Sequence, residues 1–230
     1  MIPIALVSLH DRTGFPPREE RLQALLTERG WTTRFPAERP LLSRAQSVCA
    51  RLALERLLAP HPLDLAALAA DATGRPRLLP TPDLPAPPDL SLTHDGSLAA
   101  AAVSCDAPMG LDLQKVPGDP AKCLALAKRY FPTEEYDRLR NSPPDRLSAA
   151  FTLLWTRKEA AVKRTGAGLS ALSATSGRLP PPGTAFHNWR LTAPDGTYYL
   201  SLCAPAGIPV RLLPPDPLNL QIEKETDHDV

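Results

Sequence analysis

Pro143-Pro144-Asp145-Arg146-Leu147-Ser148-Ala149-Ala150-Phe151-Thr152-Leu153-Leu154-Trp155-Thr156-Arg157-Lys158-Glu159-Ala160-Ala161-Val162-Lys163-Arg164 is the stretch around which the rest of the chain can be read. Proline opens it, and Gly166 and Gly168 follow, so the pattern predicts the longest helix of the chain from about Pro143 to Arg164. At about 100° per residue, Leu147, Phe151, Leu154, Trp155 and Val162 fall on one arc, the signature of a buried face. Lys158 lies inside that arc. An unpaired ammonium there is costly, so the side chain must snorkel to water or meet an anion. Glu159 and Lys163, one turn apart at the edge of the arc, form either a solvated i, i+4 pair or a functional one.

Upstream, Met109–Gln114 reads as a strand in which Leu111 and Leu113 point to one side, and Asp112 and Gln114 to the other. A carboxylate in an apolar strand needs a structural Arg, a backbone donor or a metal ion. Asp112 and Glu159 together could hold one Mg²⁺, a cation that takes few carboxylates and keeps several waters and phosphate oxygens. Helices are expected at Pro120–Tyr130 and from Thr133 to about Arg140. Strands are expected at His187–Thr192, Thr197–Cys203 and Pro209–Leu213, before a polar tail from Gln221 to Val230.

The first half reads as a strand (Ile2–Leu9), a helix from about Pro17 to Arg29 stopped by Gly30, and a longer helix from about Pro40 to Ala59. A connection carrying Pro76, Pro80, Pro82, Pro85, Pro87 and Pro88 is too dense in proline for regular structure. Two strands follow, Leu90–Thr93 and Leu98–Ser104, joined at Asp95-Gly96, a hairpin signal. Each half thus carries strands and a long helix, which predicts two similar α+β lobes spanning 1–107 and 108–220, with the tail 221–230 outside them.

Composition bounds the function. The 230 residues include 28 Pro and 43% hydrophobic residues, enough apolar content for a buried core. Lys plus Arg (26) nearly balances Asp plus Glu (25), so the field of a dedicated duplex-binding protein is missing and no nucleic acid partner is expected. No apolar run reaches the length of a membrane span. Cys49, Cys105, Cys123 and Cys203 are dispersed without a Cys-x-x-Cys pair, which points to reduced thiols and a cytoplasmic location.

Further candidates are modest one by one. Ser91-Leu92-Thr93-His94-Asp95-Gly96 ends a strand on a His, Thr73-Gly74-Arg75-Pro76 is a turn presenting a guanidinium, and Arg39, Arg44 and Arg51 run along a helix. Such arginines are either a solvated face or forked phosphate donors.

Taken in order, these segments resemble the Sfp-type 4′-phosphopantetheinyl transferases. That family carries a Gly-(Lys/Arg)-Pro turn, a Ser-(Ile/Leu)-(Ser/Thr)-His segment, a Gly-(Ile/Val/Leu)-Asp-x-Glu strand, and a helix with Trp-x-x-Lys-Glu-(Ala/Ser) and a further Lys. Here they are Gly74-Arg75-Pro76, Ser91-Leu92-Thr93-His94, Gly110-Leu111-Asp112-Leu113-Gln114 and Trp155-Thr156-Arg157-Lys158-Glu159-Ala160-Ala161-Val162-Lys163, followed by Gly166-Ala167-Gly168-Leu169. The resemblance covers roughly residues 35 to 215. One departure stands out: Gln114 replaces the usual acidic residue two places after the strand Asp, and a neutral amide oxygen is a weaker ligand for a hard cation.

The resemblance implies an α+β pseudo-dimer of two similar lobes with the active site at their interface, functioning as a monomer. It implies Mg²⁺-dependent transfer of the phosphopantetheine arm of coenzyme A to a serine of an acyl or peptidyl carrier protein. Asp112 and Glu159 would hold the metal, with Glu159 also a base and Lys163, alongside Lys158, neutralising the leaving phosphate. His94 and Arg39, or Arg44 in its place, would face the coenzyme A phosphates beside Thr93, Asp95 and Gly96, with Gly74 and Arg75 near the nucleotide. The resemblance also implies a carrier that is acidic around its serine, and the basic segment Lys115 to Arg140 is either its docking surface or the solvated face of two surface helices. A coenzyme A-binding module without catalysis and a metal-dependent phosphohydrolase are the alternatives.

Overall fold

The computed structural model describes residues 1–59, 64–82, 84–168, 179–213 and 220–225. Its residues fall into two compact units, one made of 1–71, 76–106 and 209–219, the other of 72–75, 107–208 and 220–230. Each is an α+β lobe.

In the first unit, strand β1 (Ile2–Ser8) is followed by the short helix α1 (Leu9–Arg12), α2 (Glu19–Glu28) and α3 (Leu41–Leu58). Ser8 ends the strand by capping α1, its hydroxyl accepting from the His10 N–H at 3.1 Å, which is why the expected strand stops before Leu9. β2 (Leu68–Ala70) pairs with β3 (Pro76–Leu78), and the hairpin β4 (Asp89–Asp95) and β5 (Leu98–Ser104) closes the unit's main sheet, joined later by β9 (Val210–Leu212) in the order β4-β5-β1-β9. β3 corrects the expectation of an irregular proline-rich link: Pro76 sits at the end of a two-stranded ladder opposite Ala70, where its lack of an N–H costs little. Gly96, at φ +49°, makes the hairpin turn at Asp95-Gly96. The core between α3 and the sheet is built from Val48, Leu52, Leu54, Leu90 and the small side chains Ala5, Ala99 and Ala101.

The second unit begins with β6 (Gly110–Lys115) and continues through α4 (Pro120–Tyr130), α5 (Thr133–Arg140) and α6 (Pro144–Thr165) to the hairpin β7 (Thr184–Ala193) and β8 (Gly196–Pro205). β10 (Gln221–Glu225) lies on the open edge of β7, giving the order β10-β7-β8-β6. Its charged sequence, which reads as tail, suits an edge strand. α4 begins at Pro120 under an Asp119 cap, and α6 ends at Gly166 in the left-handed conformation (φ +73°), its N–H donating to the Val162 carbonyl at 2.9 Å. Leu169, the last residue of the quoted glycine motif, lies outside the described residues.

Both units repeat one plan: a strand, a long helix, then a hairpin whose second strand pairs antiparallel with the first strand, β1-α3-β4-β5 in one and β6-α6-β7-β8 in the other. No helix among the described residues is long and apolar enough to cross a membrane.

In the second unit, β6 and α6 touch through their backbones at Gly110. A Cβ on Gly110 would overlap the Ala160 carbonyl oxygen and crowd the Arg164 nitrogen at 2.5 Å. Because both obstacles are backbone atoms, neither can rotate away. Gly110→Ala is therefore expected to cost about 3 kcal/mol or more, the upper range for overpacking, in urea unfolding followed by circular dichroism. An unchanged midpoint would show that the two elements can separate without loss.

Candidate active site

The register of the second sheet aims Asp112 at the long helix. Gly110 and Asp112 share a face of β6, since side chains alternate, and Gly110 already lies against α6. Asp112 is only 1% exposed, and Lys163 donates to its Oδ1 at 2.6 Å. Gln114, two residues on and on the same face, donates through Nε2 to the other oxygen, Oδ2, at 3.2 Å. The amide that replaces the usual acid thus supports Asp112 as a donor.

Glu159 stands one turn before Lys163, half-buried. Its carboxyl is pushed up from 4.5 to about 7: burial disfavours the charged form, the Asp112 charge adds to the effect, and the Lys163 ammonium opposes it. Two carboxylates and one ammonium leave this cluster acidic. Asp112 and Glu159 are oxygen donors of the kind Mg²⁺ takes, with water and phosphate completing its shell, so the residues present fit that cation. Among the described residues no group of three or more His, Cys, Asp or Glu gathers as a metal site.

Lys158 is elsewhere. It is fully buried, 2.8 Å from Glu135 Oε2 of α5 and 5.0 Å over the Phe131 ring. The anion demanded by its place on the apolar arc is this internal carboxylate, and the expectation that it faces phosphate is corrected accordingly. Glu135 is a residue the sequence did not single out, because a contact between two helices leaves no local pattern. Arg75 donates to the carbonyls of Arg164 and Met109, both at 2.8 Å, and so ties the end of α6 to the start of β6, next to the left-handed Gly74 (φ +83°).

The remaining candidates belong to the first unit. His94 is exposed near the end of β4, after buried Thr93, while Asp95 accepts from the Gly96 N–H at 2.8 Å and Gln46 of α3 donates to the Gly96 carbonyl at 2.9 Å. Arg44 is 2% exposed and its Nη1 meets both oxygens of Glu19 at 3.0 Å, so its charge is used internally. Arg39 is exposed, bonded only loosely to the Ser43 hydroxyl at 3.3 Å. Arg51 lies 5.2 Å over Phe35, and burial together with the nearby Arg39 charge pulls its pKa down.

Comparison with known proteins bears on this site directly. A model of the 4′-phosphopantetheinyl transferase superfamily matches residues 108–203, which include β6, α6 and all three members of the acidic cluster. The 4′-phosphopantetheinyl transferase psf-1 of Bacillus pumilus is 35% identical over 126 residues, 54% of this chain and 50% of its own length. A 4′-phosphopantetheinyl transferase of Bacillus subtilis is 35% identical over 119 residues, 50% of this chain and 49% of its own. The 4′-phosphopantetheinyl transferase AcpT of Salmonella typhi is 30% identical over 138 residues, 60% of this chain and 67% of its own. The chain belongs to the 4′-phosphopantetheinyl transferase superfamily, as its resemblance to the Sfp-type members implies. It spans about half the length of the first two relatives and two thirds of AcpT.

The raised Glu159 carboxyl has a consequence for stability. Its proton is held more tightly in the folded than in the unfolded chain, so its stabilising contribution is complete below about 4.5 and is lost as pH rises through about 7. Glu159→Gln, which cannot ionise, is expected to melt like wild type near pH 4.5 and above it near pH 8 in metal-free buffer. Melting curves across that range check this, and a difference that does not vary with pH would contradict it.

Proposed function

We propose that this protein moves the 4′-phosphopantetheine arm of coenzyme A onto a serine hydroxyl of an apo acyl or peptidyl carrier protein, releasing adenosine 3′,5′-bisphosphate. The observation that carries the reading is the Asp112–Lys163–Glu159 cluster, two carboxylates and an ammonium gathered in the stretch that the family match covers.

In this reading the carrier serine oxygen forms a bond to the phosphorus bearing the pantetheine arm, and the bond from that phosphorus to the bridging oxygen breaks. The serine proton leaves to a base, and the negative charge goes to the departing nucleotide phosphate. Such a displacement asks for positioning and charge neutralisation more than for covalent help. Glu159, a half-buried carboxyl close to the Asp112 and Lys163 charges, is suited to take the proton directly or through water. Lys163 is a third exposed at its side chain and supplies positive charge to the leaving phosphate. Asp112 and Glu159 would hold Mg²⁺, which when bound neutralises the pyrophosphate. Arg39 and His94, both exposed, are the first-unit groups proposed for the coenzyme A phosphates. A cytoplasmic location is part of the same reading, in keeping with four free cysteines.

Protein, Mg²⁺, coenzyme A and an apo-carrier, analysed by mass spectrometry, test the function in one tube. A carrier heavier by the phosphopantetheine group is expected. Coenzyme A cleaved without a carrier adduct would indicate a phosphohydrolase, and coenzyme A bound but unchanged a binding module. In the same assay Asp112→Ala and Glu159→Gln are expected to lose on the order of 10³-fold or more, while Gln114→Ala keeps most of the activity because it removes a donor and no charge. Gln114→Glu should lower the Mg²⁺ concentration needed for half-maximal rate.

Docking of an acidic carrier has to use a local patch, because the whole chain carries only +1. Within the expected segment, Lys122, Lys128 and Arg129 are exposed along α4, whereas Phe131 is buried against Phe151 and Lys115 is paired with Asp195 at 2.9 Å. Lys122→Glu with Lys128→Glu is expected to raise KM for the carrier and leave KM for coenzyme A unchanged, with added salt reproducing part of the loss. Carrier kinetics that ignore the double reversal would move the docking surface elsewhere.

A further inference from the structure

Beneath α6 a row of polar side chains crosses three strands. Asp112 on β6 is directly opposite Ser201 on β8, and Ser201 is directly opposite Asn188 on β7, so all three stand on the helix-facing side of the sheet. All are sealed from water, at 1%, 0% and 1% exposure. Thr156 of α6, also 0% exposed, meets this row: its hydroxyl lies 2.9 Å from the Ser201 hydroxyl, which lies 2.9 Å from Asn188 Oδ1. Thr156 Oγ1 is also 3.0 Å from the Leu153 carbonyl.

We propose that the Thr156–Ser201–Asn188 chain is a positioning device that pins the long helix in the single register where Glu159 and Lys163 meet Asp112. The proposal rests on the transferase reading above and assigns that site three residues that touch none of the reacting atoms.

Helical spacing makes the connection. Thr156, Glu159 and Lys163 are at i, i+3 and i+7 and share one stripe of α6, so whatever fixes Thr156 against the sheet fixes the other two. The apolar packing nearby does not do this alone. It joins Ala160, Ala161 and Cys203 with Leu179 and Phe186 packed against them, contacts that are non-directional and so resist separation more than they fix the hydroxyl and carboxyl positions along the helix. Gly110 sets how closely β6 and α6 approach but, having no side chain, leaves rotation about the helix axis free. A hydroxyl chain is directional. A shift of one residue moves a helix about 1.5 Å and turns it about 100°. That would strand the Ser201 and Asn188 polar groups in a dry interior, at about 1–3 kcal/mol for each unsatisfied group. A satisfied buried network adds little net stability over an apolar one of the same shape, so its distinctive effect is on register.

Thr156→Val deletes the hydroxyl while keeping the shape, and Thr156→Ser restores it. The purified full-length protein is assayed for Mn²⁺ binding by electron paramagnetic resonance of the free ion, for kcat and KM with coenzyme A and an apo-carrier, and for thermal unfolding. The valine variant is expected to lose tenfold or more in both Mn²⁺ affinity and kcat, with KM for coenzyme A within about twofold of wild type, and the serine variant to recover both. Ser201→Ala, which breaks the same chain from the sheet side, is expected to match the valine variant and replaces it should that variant fail to fold. Wild-type Mn²⁺ affinity and kcat in the variants lacking a hydroxyl, or failure of serine to recover them, would overturn the proposal. A wild-type protein that transfers nothing would sink the functional reading alone, because the Mn²⁺ comparison still decides the pin. A wild-type protein that binds no Mn²⁺ would overturn the proposal that the pin builds a metal-binding pair, while formation of the carrier adduct would still decide the functional reading.

Discussion

The backbone contact at Gly110 is the constraint from which the candidate site follows. Strand and helix normally keep their distance because side chains stand between them. Here the strand residue has none, so β6 comes up against the Ala160 carbonyl and the Arg164 nitrogen. The chemical residues are offset from that contact by the smallest steps each element allows. Asp112 is the next residue on the same strand face, Glu159 immediately precedes Ala160, and Lys163 immediately precedes Arg164. Close approach therefore delivers the 2.6 Å ion pair and, by squeezing water away, also perturbs Glu159. Arg75 secures the same junction with two bonds to backbone carbonyls, one to Arg164 in α6 and one to Met109, the residue just before β6.

Charge is partitioned around α6 in a way that keeps this cluster acidic. Lys158 and Glu159 are neighbours in sequence, yet about 100° separates them on the helix. Lys158 turns to Glu135 and the Phe131 face, a closed pair with no exposed ammonium surface. Were that ammonium on the other side, two cations would balance two carboxylates, which would weaken the pull on a divalent cation and oppose the push that burial exerts on the Glu159 carboxyl. Breaking a buried pair of this kind is costly because it leaves a bare charge behind.

What could be read from the sequence was whatever depends on local chemistry. The bounds of α4 and α5 follow from proline, capping and periodicity, the end of α6 from Gly166, and the hairpin from Asp95-Gly96, and the structure places all of them within a few residues of expectation. Asp112, Glu159 and Lys163 stood out as polar groups in apolar settings, and the structure brings these three together. Partners distant in sequence were not legible. Nothing near Lys158 announces Glu135, nothing near Arg44 announces Glu19, and the hydroxyl of Thr156 is ordinary until Ser201 appears beneath it. Strands β3 and β10 escaped for a related reason, since each is held by a neighbour and has no pattern of its own.

The two units offer an internal control on what the fold itself requires. Both stack a long helix on a sheet whose first strand pairs with the second strand of a hairpin. Under α3, a row across β1, β5 and β4 reads Ala5, Ala101, Leu92, all apolar and part of one core. Under α6, a row across β6, β8 and β7 reads Asp112, Ser201, Asn188, all polar and all buried. The first unit shows that this architecture closes well on small apolar side chains, so packing does not call for the polar row. Nor does stability, because dehydrating a carboxylate and two hydrogen-bonding groups opposes folding unless each is matched by a partner. The matches exist, in Lys163, Gln114 and Thr156, and they hold the row in a fixed orientation against the helix. A polar row that the scaffold can do without, fully partnered and lying against the helix that carries Glu159, is better explained by chemistry than by architecture.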